Sequence, residues 1–359
     1  MNEIPSTIRK YPRPDKRTRN NVEFSLLTTP SATQRTSRVI SEIREEKIEP
    51  AEVNDFIKSQ LNLVSKSHIE RWINGLASFH NRHSKSIYIH QVAEWLKKEL
   101  VISGYRNNSG SDDKEEGVYF HSFNDEGVEM RNVICTKKGR SNDFILICGH
   151  YDTVLGDNVE DTVSRAPGAN DNASGVSAIL EIARILFSLD LSLSTRFVFF
   201  SGEEQGLRGS EYYSDLIARK KENLHLVINL DMVGQPGFLM TDKTIQIDVD
   251  KKFNDKPSCN MMSNNDEDSD EYATLMQKIA TSYTNLVGQK GPAFASDYCP
   301  FEARGYVIVG AYDGSAENEN PHYHHSSDVP ENLDIEFLVS VTKMVLATIM
   351  DINGQISSK

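Results

Sequence analysis

Residues 144–152 read FILICGHYD: five apolar residues in a row, then glycine, histidine, tyrosine and aspartate. An unbroken apolar run of that length is the pattern of a strand buried on both faces. Four further runs share it: NVICT (132–136), RFVFF (196–200), LVINL (226–230) and YVIV (306–309). Among them, residues 174–187 place Val176, Ile179, Leu180, Ala183, Leu186 and Phe187 on one helical face. Helical spacing recurs at Val53, Phe56, Ile57, Leu61 and Leu63, and at Ile69, Trp72, Ile73 and Leu76. A third early helix is predicted around 90–100, and a last one over 333–349. Strands alternating with helices predict an α/β fold. Its form is a three-layer sandwich with a mostly parallel or mixed central sheet and helices on both faces.

Open α/β sheets place ligands beyond the carboxyl ends of their strands, so the residues just past each apolar run carry the chemistry. FILIC leads into Gly149-His150-Tyr151-Asp152, RFVFF into Ser201-Gly202-Glu203-Glu204, and LVINL into Asp231. GANDNASG (168–175) heads the 174–187 helix, and HHSSD (324–328) stands near the end. Taken singly, each segment is an ordinary turn, cap or solvated charge. Together, five polar clusters meet on one rim of one sheet. Two histidines with three or more carboxylates and no cysteine make a nitrogen–oxygen ligand set. That set suits zinc, with cobalt or manganese able to substitute. Crowded carboxylates repel one another unless cations lie among them. The donors suffice for two ions sharing a carboxylate and a water. If Glu203 and Glu204 leave a strand end toward opposite sides, one can bind metal while the other stays free as a general base.

Composition excludes several classes. With 38 % hydrophobic residues in 359, a sizeable core is available and wholesale disorder is excluded. A net charge of −13 argues against nucleic-acid or anionic-lipid surfaces as partners. No apolar run reaches the ~18 residues of a membrane span. Four cysteines are too few for a disulfide-held scaffold. That scarcity and the lack of an apolar leader at the start favour a cytoplasmic location, with secretion as the alternative. Residues 1–50 carry prolines, a basic cluster and Ser/Thr-rich stretches. They read as an N-terminal extension, partly disordered, with a short helix near 39–47. The folded domain is predicted over 51–359. The acidic run DEDSDE (266–271) reads as a solvated loop or a helix start.

The ordered stretches GHYDTV (149–154), APGANDNASGVSAILEIARIL (166–186), SGEEQGLRGSEYY (201–213), NLDMVG (229–234), SDYCPFEARGY (296–306) and HHSSDVPENLD (324–334) carry a family resemblance. They resemble the two-zinc aminopeptidases, a group that includes secreted bacterial leucine aminopeptidases and glutamate carboxypeptidase. The resemblance spans roughly residues 55–355. It implies a zinc peptidase domain with two Zn2+ ions per chain, acting on peptides with a free N-terminus, as a monomer or small homo-oligomer. Carried over, His150 binds one zinc and Asp152 orients its imidazole. Asp171 bridges both ions, Glu204 and Asp231 bind one each, and Glu203 is the general base. The last ligand fits an H-x-x-x-D pattern, which favours His324 over its neighbour His325. Tyr312, with Ala316 nearby, falls in the stretch that lines the specificity pocket. That implies a preference for apolar N-terminal residues.

The chain departs from the family in two places. Ala293 and Ala295 stand where secreted members carry an aromatic residue and a disulfide cysteine, and Asn170 and Asn172 flank Asp171 where relatives often have acids. Two alternatives share the fold: a glutaminyl-peptide cyclase and a catalytically inactive binding relative. The short spacing from Glu204 to Gly209-Ser210 matches the peptidases, and no ligand position is lost.

Overall fold

The computed structural model describes residues 50–108, 116–156, 158–236, 243–250, 265–314 and 320–354. The helix predicted near 39–47, and nearly all of the extension, lie outside the described residues. So does Ala316.

The sheet has eight strands: β1 (Gly117–Asp125), β2 (Val128–Lys137), β3 (Phe144–His150), β4 (Ser194–Phe200), β5 (Leu224–Leu230), β6 (Thr244–Val249), β7 (Val287–Pro292) and β8 (Ile308–Tyr312). Their spatial order is β1-β2-β4-β3-β5-β8-β6-β7. The central strands β4, β3, β5 and β8 are mutually parallel, while β2 and β6 join them antiparallel. The sheet is therefore mixed around a parallel centre.

The apolar runs are explained by burial on both faces. Ile145 and Ile147 of β3, and Phe197 and Phe199 of β4, enter one core. Leu146, Cys148, Val198 and Phe200, the alternate residues, enter the other. The first core is roofed by α1 (Asp55–Leu61), α2 (Lys66–Ala77), α3 (Ile89–Ile102), α4 (Gly175–Leu186), α6 (Asp266–Tyr283) and α8 (Ile335–Ile352). The second lies under α5 (Arg208–Lys220) and the short α7 (Cys299–Glu302). The acidic run at 266–271 starts α6, where negative charge complements the helix dipole.

Three strands escape a reading of apolar runs. β1 pairs with β2 through a two-residue turn, Glu126 and Gly127, both at positive φ as a tight hairpin requires. β6 (TIQIDV) buries its polar residues Gln246 and Asp248 as well as its apolar ones. β7 (VGQKGP) is built from residues that usually mark turns. Cys135 and Cys148 are free and buried, and Cys299 is disulfide-bonded. Among the described residues no helix is long and apolar enough to cross a membrane.

Asp248 illustrates the cost of a polar strand interior. It accepts hydrogen bonds from Gln246 Nε2 (2.8 Å) and the Tyr298 hydroxyl (3.0 Å), yet burial pushes its carboxyl up to about 7. From about pH 4 to pH 7 the folded chain keeps a proton that the unfolded chain has released, so this group's contribution to stability falls as pH rises through that window. Asp248→Asn is expected to flatten that slope. The check is denaturant unfolding of both proteins at pH 5 and pH 8 with zinc saturating. An unchanged difference between the two pH values would contradict the assignment.

Candidate metal centre

The parallel strands end on one rim, and each end carries a polar cluster. β3 delivers His150. The residue before it must be glycine, because a Cβ on Gly149 would meet the Leu230 carbonyl oxygen at 2.6 Å. β3 and β5 therefore run close together, and His150 Nε2 lies 3.2 Å from Asp231 Oδ1 just past the end of β5. Residues 169–174 form a kinked turn before α4. Asp171 and Asn172 are non-helical there, and the bond between them is cis.

Side-chain amides pin this turn. Asn172 donates to the Leu230 carbonyl (2.8 Å) and accepts from the N–H groups of Gly175 (3.0 Å) and Met232 (3.3 Å). Asn170 donates to Asp313 (2.9 Å) and accepts from the Gly234 N–H (2.9 Å). Each position needs a donor and an acceptor together, which an ionised acid cannot supply. That accounts for asparagines on both sides of Asp171. Asp328 accepts from the N–H groups of Asn170 (2.8 Å) and Asp171 (3.0 Å), so the acid of the H-x-x-x-D pattern holds the Asp171 backbone.

Three overlapping groups converge: His150–Asp171–Asp231, Asp171–Glu204–His324 and His150–Glu203–Glu204, the donor atoms in each lying within 4.8 Å of one another. Asp171 belongs to the first two, with Oδ1 3.1 Å from His150 Nε2 and Oδ2 3.1 Å from His324 Nε2. His324 Nε2 is also 3.0 Å from Glu204 Oε2. A tetrahedral zinc with donors at about 2.0–2.1 Å sets them about 3.3–3.4 Å apart, close to the observed spacing. His324 Nε2 and Glu204 Oε1 are buried without a hydrogen-bond partner despite these neighbours. These residues fit two metal ions, and the nitrogen–oxygen donor set fits zinc.

The electrostatics agree. Burial opposes charge on His324, but Glu204 and Asp171 pull it up to about 11. Burial likewise opposes charge on His150, yet Asp231 and Asp171 hold it well above its ordinary value. Asp171 is held below the usual carboxylate range because the two imidazoles outweigh its burial. Burial, with Asp171 nearby, raises Glu204 to about 7. Burial also raises Glu203 well above its ordinary value. His150 works against that shift, and Glu204 and Asp231 add to it.

All the predicted ligand positions meet here, with differences of detail. His324 reaches the cluster; it has positive φ and its ring is stacked on Tyr323 at 3.8 Å. His325 is exposed, with Nδ1 3.1 Å from Ser327 Oγ. Asp152 lies beside the His150 imidazole and has backbone partners as well. Its carboxylate is 3.8 Å from His150 Nδ1, whereas its own carbonyl oxygen is at 3.2 Å. The carboxylate also accepts from the N–H groups of Glu203 (3.2 Å) and Glu204 (3.3 Å). Those two glutamates do not alternate as strand residues would. β4 ends at Phe200, Gly202 turns the chain at positive φ, and both carboxylates come within 4.8 Å of a His150 ring nitrogen. Tyr312 ends β8 one step past the Leu230–Ala311 pair, edge-on to Phe294 at 5.7 Å.

Two supports went unread in the sequence. Ser296 donates to Asp231 Oδ2 (2.6 Å) and accepts from Asn229 Nδ2 (2.8 Å), fixing the carboxylate that faces His150. Their spacing, 67 residues apart, offers no local signal.

The family model described as "Peptidase family M28" matches residues 132–349. A leucine aminopeptidase 1 of Trichophyton equinum is 25 % identical over 306 residues, covering 83 % of this chain and 77 % of that protein. The crystal structure of the LapA aminopeptidase of Legionella pneumophila superposes with a TM-score of 0.69 at 18 % identity, over 92 % of this chain and 82 % of that one. A Bacteroides thetaiotaomicron glutaminyl cyclase shares the fold at a TM-score of 0.62 and 21 % identity, over 82 % and 99 %.

Stripping the protein with a chelator and titrating zinc back is expected to give two bound equivalents per chain. Asp171→Asn should weaken both, and His324→Ala only one. Each loss should exceed the roughly 10–100-fold typical of outer partners. Metal analysis after dialysis against graded free zinc distinguishes these patterns. One equivalent in the unaltered protein would overturn the paired-cluster assignment.

Proposed function

The chain belongs to peptidase family M28 and is a two-zinc exopeptidase, and we propose that it removes N-terminal residues from peptides, with Glu203 as general base. The observation that carries the proposal is the sharing of Asp171 between two clusters, with Glu203 grouped with His150 of the one and Glu204 of the other. His150, Asp171 and Asp231 hold one ion, and Asp171, Glu204 and His324 the other. The chemistry supplied by bound zinc is polarisation of the scissile carbonyl and a lowered pKa for the attacking water.

The chain's own residues do the rest. Glu203 takes the proton of the attacking water and delivers it to the departing amine. Burial raises its carboxyl, the direction a base working near neutral pH requires. Asp152 acts through it, holding the Glu203 and Glu204 N–H groups so that the two carboxylates keep their separate tasks. An apolar preference is supported by Phe294, 46 % exposed beside Tyr312 at the Asp231 end of the sheet. The Glu203–Gly209 turn is closed on itself by the bonds Gly206 N–H to Glu203 O (2.8 Å) and Gly209 N–H to Ser201 O (2.9 Å). The turn is therefore short, which supports a peptidase over a cyclase.

A panel of aminoacyl anilides tests the proposal. Leu- or Met-anilide cleavage is expected, lost on chelation and restored by zinc. Glu203→Gln should lower kcat by about 10²–10⁴-fold with zinc content unchanged. Cyclisation of an N-terminal Gln peptide with no anilide cleavage would instead assign the chain to the cyclase chemistry.

A further inference from the structure

Four consecutive polar residues, Asn81-Arg82-His83-Ser84, are completely buried in the loop between α2 and α3. Nothing in their own stretch explains this, and none reaches a metal donor. Most of their partners lie on two segments that adjoin the donors, the 151–168 connection between His150 and Asp171 and the turn after Glu203-Glu204. Arg82 Nε donates to the carbonyl of Tyr151 (2.8 Å), between His150 and Asp152. Its Nη1 donates to the Pro167 carbonyl and its Nη2 to the Gly168 carbonyl (2.8 Å), at the entrance to the Asp171 turn. The Arg82 N–H donates to Thr153 Oγ1 (2.9 Å), and that hydroxyl donates to the Ala166 carbonyl (3.2 Å). Asn81 Nδ2 donates to the carbonyls of Thr162 (3.0 Å) and Ser164 (3.1 Å), and a His83 ring nitrogen lies 2.8 Å from the Val159 carbonyl. Ser84 donates to Gln205, the residue after Glu203-Glu204.

Arg82 is distinctive among the four. A fully buried guanidinium is costly unless charge compensates it, yet among the described residues it makes no ion pair. The opposing charges that act on it across space are the site's acids Asp328, Asp171, Asp152 and Glu204. The approach is too close for any side chain at Gly168, where an added Cβ would meet Asp171 O at 2.2 Å and Arg82 Nη2 at 2.8 Å.

We propose that Arg82 is a positioning residue of the metal centre. Its guanidinium clamps the carbonyls of Tyr151, Pro167 and Gly168, so that His150 and Asp171 keep the separation at which Asp171 serves both clusters. The planar fork is essential: four carbonyls, that of Leu76 in α2 and those of Tyr151, Pro167 and Gly168 on the 151–168 connection, are met at fixed angles, which an ammonium cannot reproduce. Its charge offsets Asp152 and Asp328, the two acids committed to backbone N–H groups rather than to metal. The inference rests on the assignment of His150 and Asp171 as zinc ligands.

The test uses the full chain with Arg82→Met, which removes charge and fork, and Arg82→Lys, which restores only the charge. Zinc affinity is measured by competition with a chromophoric chelator. Thermal midpoints are recorded zinc-free and zinc-loaded, with kcat and KM for Leu-anilide alongside. Arg82→Met is expected to bind zinc about 10–100-fold more weakly. Its gain in midpoint on adding zinc should shrink, and kcat should fall more than KM changes. Arg82→Lys should stay folded with zinc affinity between the two. A purely structural arginine predicts something else: both midpoints fall equally and zinc affinity holds, which would overturn the proposal. Should Arg82→Met not fold, Arg82→Lys decides alone, since unaltered zinc affinity and kcat in it refute the clamp. Failure of the unsubstituted protein to bind zinc would refute the ligand assignment itself, a distinguishable result.

Discussion

A buried carboxylate shared between two imidazoles sets the terms for everything around it. Asp171 needs one oxygen directed at His150 and the other at His324. The chain breaks regular structure at 169–174, where Asp171 and Asn172 are non-helical, and must satisfy the backbone so freed. Asp328 takes two of the N–H groups, while Asn170 and Asn172 tie the turn to the end of β5. Side chains bonding to backbone position the donors, while Tyr151, Ala169, Ala173 and Val233 anchor the same segments in the core.

The same solution recurs at the other loops. Asp152 holds the glutamate turn, Ser296 holds Asp231, and Arg82 holds the exits of β3 and of the 158–168 segment. Acids close to the donors are thus divided in function. Some face the shared space, and others are committed to peptide N–H groups. Because the committed ones are equally buried, they add negative charge that zinc does not contact. A guanidinium behind the loops is an effective counterweight, as it can satisfy carbonyls and balance acids at once.

Rigidity of the rim depends in turn on the sheet. β3, β4, β5 and β8 are parallel and covered on both faces, so their ends lie at one level and cannot slip without exposing a core. Polar loops can then carry a dense charge cluster without unravelling. The electrostatic cost of the arrangement shows in the raised carboxyls of Glu204, Asp297 and Asp328, each displaced by burial before anything else. Placing cations among such acids relieves repulsion, so metal binding and folding of the rim are coupled.

The sequence by itself determined the layered α/β fold, the rim and its donor types, because strands buried on both faces must be apolar throughout and because metal chemistry restricts the residues at their ends. Helices with one apolar face were legible for the same reason. β6 and β7 were not, since Gln246, Asp248 and the glycines of β7 are stabilised by distant partners and carry no local period. The H-x-x-x-D pattern already favoured His324, and the tertiary structure turns it inward and leaves His325 exposed. Tertiary structure alone decided that Asp152 also grips the glutamate turn, and that Arg82 belongs to the site at all. Each of these depends on contacts between segments tens of residues apart, whose geometry arises only when the strands are assembled and their ends brought level.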